Sequence, residues 1–191
     1  MNKRVYFAFD YEDVADFRAN VVRNSNALEG VERAGFFDAS VWEEAKNHDP
    51  ESLKRLIDAE LKYTTVTAVL IGTNTWRRRW VRYEIMRSAA RGKMLVGIHI
   101  NNIRDRYQQV KPLGANPFEN VGYIFSADGK TASPVEWDGH QRWVWYSDLE
   151  PYPTAERPLS ERGPIVQVSK WAHCYDWDLQ DGYNNFYRWI Q

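Results

Sequence analysis

Apolar positions in this chain fall into short continuous runs, separated by stretches with helical spacing. Val5 to Phe9 is one such run, closed by Asp10, Tyr11, Glu12 and Asp13, and it predicts a buried strand followed by polar residues able to cap a helix. That helix is expected through Asp16, Phe17, Val21 and Val22, with the turn at Asn24 ending it. Gly35, Phe36 and Phe37 predict a brief second strand inside a loop-like segment. Asp49-Pro50-Glu51-Ser52 predicts a helix start, since an aspartate can cap free amides and proline costs nothing at the first helical position. Leu53, Leu56, Ile57 and Leu61 then share one face. Thr65 to Ile71 is β-branched and apolar, a strand by composition, and Gly72-Thr73-Asn74-Thr75 supplies a turn and cap before a helix from about Trp76 to Ala90. Met94 to Ile100 and Val121 to Phe125 are further strands.

Buried strands alternating with amphipathic helices predict an α/β doubly wound fold: a central, mainly parallel sheet covered on both faces, because parallel neighbours need crossover connections. Ligands in such sheets sit beyond the carboxyl ends of the strands, here near Phe9, Asp10, Phe37, Asp38, Gly72, Thr73, Ile100 and Asn101. After about Ser126 the texture changes. Val135-Glu136-Trp137 and Trp143-Val144-Trp145 flank Asp138-Gly139, a hairpin signal, and prolines at 151, 153, 158 and 164 punctuate the segment beyond it. The expected organisation is one domain over 1–191, with a core of about 1–125 and an aromatic-rich extension of about 126–191. The last stretch, from Trp171, carries more aromatic surface than water tolerates, so it is expected to dock on the domain or on a partner.

Composition narrows the class. With 43% hydrophobic and 15% aromatic residues the chain can bury enough surface to offset its ordering entropy, which excludes disorder. A net charge of -1 provides no global field towards phosphate backbones or anionic lipid, so neither a nucleic acid nor a membrane surface is an expected partner. The first apolar run stops at Asp10, too short for a signal-peptide core, and no run approaches the roughly 20 residues of a membrane span. One cysteine and four scattered histidines lack metal-ligand spacing and fit a reducing, cytoplasmic location without a metal site. For the same reason His173, Cys174 and Asp176 read as structural residues.

The segment Trp76 to Met86 carries the candidate chemistry. On one helix, Trp76, Trp80, Tyr83 and Glu84 are related by steps of three and four, which sets a carboxylate among aromatic rings. Walls of that kind exclude water, raise a carboxyl pKa and strengthen its attraction for a nearby cation. The plainer alternative is a surface ion pair between Glu84 and Arg87, with the rings as core. Arg77, Arg78 and Arg79 read as a solvated face. No Gly-x-Gly-x-x-Gly follows the first strand and no Gly-Lys-Ser or Gly-Lys-Thr loop exists, so neither hydride transfer nor an NTPase is supported.

Val5-Tyr6-Phe7-Ala8-Phe9-Asp10-Tyr11 resembles the first-strand motif of TIR domains, and Trp80 to Glu84 resembles the tryptophan and glutamate pair of those that cleave NAD. Phe36 to Glu43, Arg79 to Ile85, Gly97-Ile98-His99-Ile100 and Asn116-Pro117-Phe118 together resemble the TIR-like proteins of the Thoeris antiphage system. The resemblance implies a flavodoxin-like fold and conversion of NAD, as substrate and not cofactor, into a cyclic ADP-ribose isomer. That signal would activate a partner effector after a phage-derived trigger, in an enzyme that works as a homo-oligomer. It gives Glu84 the catalytic role, Trp80 an aromatic role, and Phe9, Asp10 and Asp38 substrate contacts; Tyr83 and Tyr11 would complete a dry aromatic pocket. Asp10 departs from the basic or polar residue common at that place, which keeps open a second reading, a TIR-like interaction module without chemistry. A phosphoacceptor receiver shares the fold, but Gly72-Thr73-Asn74 stands where its acceptor aspartate would be.

Overall fold

The computed structural model describes residues 4–25, 32–34 and 49–191. In chain order the first part holds β1 (Arg4–Ala8), α1 (Tyr11–Ala15), α2 (Arg18–Arg23), β2 (Glu32–Ala34), α3 (Pro50–Leu61), β3 (Val66–Ile71), α4 (Arg79–Ala90) and β4 (Met94–His99). The second part holds β5 (Val121–Phe125), β6 (Thr131–Trp137), β7 (Trp143–Trp145), β8 (Tyr152–Pro153), β9 (Ile165–Gln167), β10 (His173–Asp176) and α5 (Gly182–Trp189). Strands β2, β1, β3, β4 and β10 form a parallel sheet in that order.

The residues of β1 explain why this sheet is covered on both sides. Tyr6 and Ala8 enter one apolar cluster, with Leu53, Ile57 and Leu61 of α3 and Ile85 and Met86 of α4. Val5 and Phe7 point the other way, into a cluster with Ala19 and Val22 of α2 and Phe186 and Trp189 of α5. Alternation with both faces apolar is what a buried parallel strand requires. Helix α3 starts as expected: the Asp49 side chain accepts from the Ser52 amide at 2.7 Å, and Pro50 occupies the first turn.

Strands β5, β6, β7 and β9 make a second, antiparallel sheet, with β8 paired to β6. It packs on the outer face of α4, contributing Tyr123, Phe125, Ala132 and Val166 to the cluster that holds α4. Helix α4 therefore lies between two sheets. Polar contacts fix it there: Arg82 Nη1 donates to Glu136 Oε2 at 2.6 Å, Tyr123 Oη donates to the Met86 carbonyl at 3.0 Å, and Arg79 grips Asp148 with two bonds at 2.6 and 2.8 Å.

Several expectations are corrected. The helix expected through Asp16 to Val22 is two short helices, broken at Phe17, whose φ of 73° is left-handed. The break turns Arg18 inward, where its guanidinium is satisfied by the carbonyls of Ile103 and Gln109 and by Asp16. Helix α4 begins at Arg79, not Trp76; Thr75 to Arg77 form a 3-10 turn, and Thr75 Oγ1 accepts from the Gly72 amide at 2.9 Å. Val121 to Phe125 is a strand, but its antiparallel partners β6 and β9 hold it in the second sheet. β10 extends the first sheet beyond β4 instead. The hairpin around Asp138-Gly139 forms, with a loop of residues 138–142 and both Gly139 and Gln141 at positive φ. The strand expected at Gly35 to Phe37 lies outside the described residues.

The aromatic C-terminus docks on the chain itself. Phe186 stacks on Phe7 with ring centroids 6.0 Å apart, and Trp189 stacks on Tyr175 at 4.6 Å with the rings almost parallel. Phe186→Ala is expected to cost about 3–5 kcal/mol in urea unfolding, because a fully buried ring on the sheet is lost. Tyr183→Ala, on the exposed face of the same helix, should change stability by about 0.5 kcal/mol or less.

Candidate active site

Glu84 sits in the second turn of α4, where the helix faces β1, and is only 3% exposed. Its Oε1 accepts a hydrogen bond of 2.5 Å from Tyr6 Oη, on the strand below. Burial pushes the Glu84 pKa up to about 8, outweighing the bond from Tyr6, which pulls in the other direction. Tyr6 is itself pushed well above its ordinary value, first by burial and then by the negative charge of Glu84. At neutral pH the pair is thus a neutral carboxylic acid beside a neutral phenol. The alternative pairing with Arg87 is excluded, because Arg87 turns outward and makes two bonds of 2.8 Å to Asp58 on α3.

The aromatic neighbours divide by position. Trp80, one turn before Glu84, is half-buried, edge-on to Tyr83 at 6.1 Å, and covered by the Arg79 guanidinium at 4.8 Å. Tyr83 is buried, with Lys54 Nζ 5.8 Å from its ring centre and its phenol pushed up to about 12 by burial. Trp76 lies in the turn before the helix, where its carbonyl accepts from Arg82 Nε, so it is not on the Glu84 face. Phe9 and Tyr11, at the carboxyl end of β1, are 5.5 Å apart, and Tyr11 packs against both apolar clusters, including the one containing Tyr6. The structure thus pairs Glu84 with Tyr6, Trp80 with Tyr83, and Phe9 with Tyr11. Asp38 lies outside the described residues.

Asp10 is tied down by Arg78, whose Nε donates to Asp10 Oδ2 at 2.6 Å while Nη2 reaches Glu12 at 2.6 Å. Arg78 is therefore no part of a solvated face, and Arg79 is held by Asp148; Arg77 alone of the three is exposed without such a role. Two further charged groups at this end of the sheet were not anticipated. Asp13 is 3% exposed, pushed up to about 6 by burial, and has Lys111 Nζ at 3.7 Å. Its carboxylate occupies the space beside Gly72, where an added Cβ would come within 2.5 Å of it, so any larger residue there would have to displace Asp13. The visible signal for Tyr6 was a hydroxyl inside an apolar strand; for Asp13 and Lys111, far apart in sequence, there was none.

A parallel sheet in the order β2-β1-β3-β4-β10 is the flavodoxin-like order, with its switch point between β1 and β3, where Asp10, Tyr11, Gly72 and Thr73 stand. Residues 6–105 match the family model described as Thoeris protein ThsB, TIR-like domain. The whole chain is 48% identical over 192 aligned residues, covering 100% of both proteins, to a Bacillus cereus (strain MSX-D12) protein named "Putative cyclic ADP-D-ribose synthase ThsB1". The chain belongs to the ThsB family of TIR-like proteins.

The buried acid makes stability depend on pH with a definite sign. Between its ordinary value of 4.5 and about 8, the folded protein keeps a proton on Glu84 that the unfolded chain has released, so stability falls as pH rises through this window. The loss is on the order of 4 kcal/mol by pH 8. Glu84→Gln, which keeps the shape without the charge, is expected to raise Tm at pH 8 by roughly 8–16 °C and to change it little at pH 4.5. Differential scanning calorimetry across this range checks both.

Proposed function

We propose that this chain consumes NAD and makes a cyclic ADP-ribose isomer as a signal in antiphage defence, with Glu84 as the catalytic residue. The observation that carries the reading is the single carboxyl group held dry on α4 between two sheets and bonded to Tyr6. The full-length relative named as a cyclic ADP-D-ribose synthase supports the reaction class.

The chemistry suits one such group. Breaking the bond between nicotinamide and ribose releases neutral nicotinamide, which carries off the bonding electron pair, so the leaving group needs no acid. The ribose is left as an oxocarbenium ion. A carboxylate in a water-poor site stabilises that cation far more than it would in bulk solvent. The positively charged nicotinamide ribosyl group brings with it the field that ionises Glu84, and the Tyr6 hydroxyl favours the same charged form. Closure of the ring requires a hydroxyl from the adenosine half to attack the cation before water does, its proton passing to a base; a carboxylate whose proton affinity burial has raised is suited to receive it. Trp80, Tyr83, Phe9 and Tyr11 would fold the dinucleotide and exclude water, and Asp10 and Asp38 would contact its polar parts. NAD enters as substrate, the product acts on a partner effector, a phage-derived trigger starts synthesis, and the working form is a homo-oligomer.

Depth of burial favours one competing reading, a TIR-like module that senses without chemistry, because Glu84 is closed off in this state. Mass spectrometry of nucleotides from cells expressing wild type or Glu84→Gln, with and without phage infection, separates the two. A cyclic ADP-ribose species is expected in infected wild-type cells and should fall by about 100-fold or more in the variant. Protected, infected cells that contain no new nucleotide would sink the enzymatic reading. Tyr6→Phe removes a bond that favours the carboxylate, so the pH at which activity reaches half its maximum should move upward, measured on product formation in lysates of infected cells.

A further inference from the structure

A cavity of about 450 Å³ opens between the C-terminal end of α4 and the second sheet, within the size range of small-molecule sites. It lies beyond Glu84 on the C-terminal side of α4, away from Trp80. Ala89, Gly92 and Lys93 line it, so it adjoins the last turn of α4 and the start of β4, whereas Trp80 lies in the first turn of the helix and Glu84 in the second. At 1.5 Å per residue, Trp80 and Ala89 are about 13 Å apart along the axis.

Its lining has two characters. One wall is aromatic: Trp171, 39% exposed, stacks on Tyr123 at 6.5 Å, and Tyr152 meets Tyr123 edge-on at 5.9 Å. The rest is cationic. Arg157 lies 4.9 Å over the Phe125 ring, and its Nη2 is 2.6 Å from Glu161 Oε2; Lys170 Nζ is 2.7 Å from the other oxygen of the same carboxylate. Lys93 Nζ donates to the Thr64 carbonyl, a bond that leaves its charge uncompensated. Lys93, Arg157 and Lys170 against Glu161 leave the lining with a net charge of +2.

We propose that this cavity is a second ligand site, for a 5′-mononucleotide: the base lies on the Trp171 wall, and the phosphate sits among Lys170, Arg157 and Lys93. A phosphate monoester carries close to two negative charges at neutral pH, which matches the excess in the lining. A flat base gains from stacking on an exposed indole whatever its edge pattern. Glu161 holds Arg157 and Lys170 together, and the phosphate joins the two cations from the cavity side. Because the occupant rests on the last turn of α4, it bears on the same helix that carries Glu84.

Isothermal titration calorimetry of the full chain with 5′-AMP, adenosine and inorganic phosphate tests this. Saturable binding of AMP is expected, with each half at least about tenfold weaker. Lys170→Ala, at a largely exposed side chain, and Trp171→Leu should each weaken AMP about tenfold or more, with an unchanged circular dichroism spectrum, while Trp80→Ala leaves it unaltered. The site is refuted by any of three results: no saturable heat up to about 1 mM AMP, full binding by the Lys170 variant, or loss on Trp80→Ala alone. Inorganic phosphate binding as tightly as AMP would remove the base from the proposal and overturn it.

Discussion

A carboxyl group kept out of water is the constraint on which this architecture turns. Glu84 can be buried at 2.5 Å from Tyr6 only because α4 has a sheet on either side of it, and the second sheet is there because the chain beyond residue 120 folds back over the helix. Burial of an ionisable group opposes folding, so surrounding contacts must hold the helix down. Apolar packing from Tyr123, Phe125 and Val166 contributes to that, and the polar contacts fix orientation: Arg82 to Glu136, Arg79 to Asp148, and Tyr123 to the Met86 carbonyl. Partly buried ion pairs add little net stability, but loss of one member leaves the other desolvated, so a single substitution in such a pair costs more than the pair contributes.

At the carboxyl end of the sheet the electrostatics are of another kind. Asp10, Glu12, Asp13 and Asp16 crowd the first turns after β1, and Arg78 and Lys111 arrive from distant segments to balance them. The switch point is therefore a region of compensated charge, next to a site that is dry and uncharged at rest. The two meet at the start of α4, where Arg78 precedes Trp80 by two residues.

Much of this was legible in sequence, and the pattern of what was not is physical. Strands β1, β3 and β4 announced themselves because both faces of a parallel strand must be apolar, and α3 because Asp49 and Pro50 mark its start. Glu84 on α4 stood out in sequence, and the resemblance to TIR domains drew attention to it, but spacing along the helix does not show its partner Tyr6, which comes from β1. What escaped depended on distant partners. A strand pattern at Val121 to Phe125 does not say which sheet it joins, and β10 reads as an aromatic tail until its pairing with β4 is seen. Phe17 gives no sign of a left-handed break, which arises from the pull of carbonyls 85 and 91 residues away on Arg18. Arg78 looked like one charge in a run because its partner, Asp10, is 68 residues away.

Strand β10 closes the parallel sheet from almost the end of the chain, pairing Cys174 with Gly97 and Tyr175 with Ile98. During synthesis on the ribosome, β1, β3 and β4 emerge before the strand that covers the β4 edge, so the nascent protein carries a bare, apolar parallel edge while residues 100–172 are made. A transcript cut short anywhere before codon 173 yields a product that keeps this edge permanently. β10 is thus a shield against edge-to-edge association as well as a structural layer.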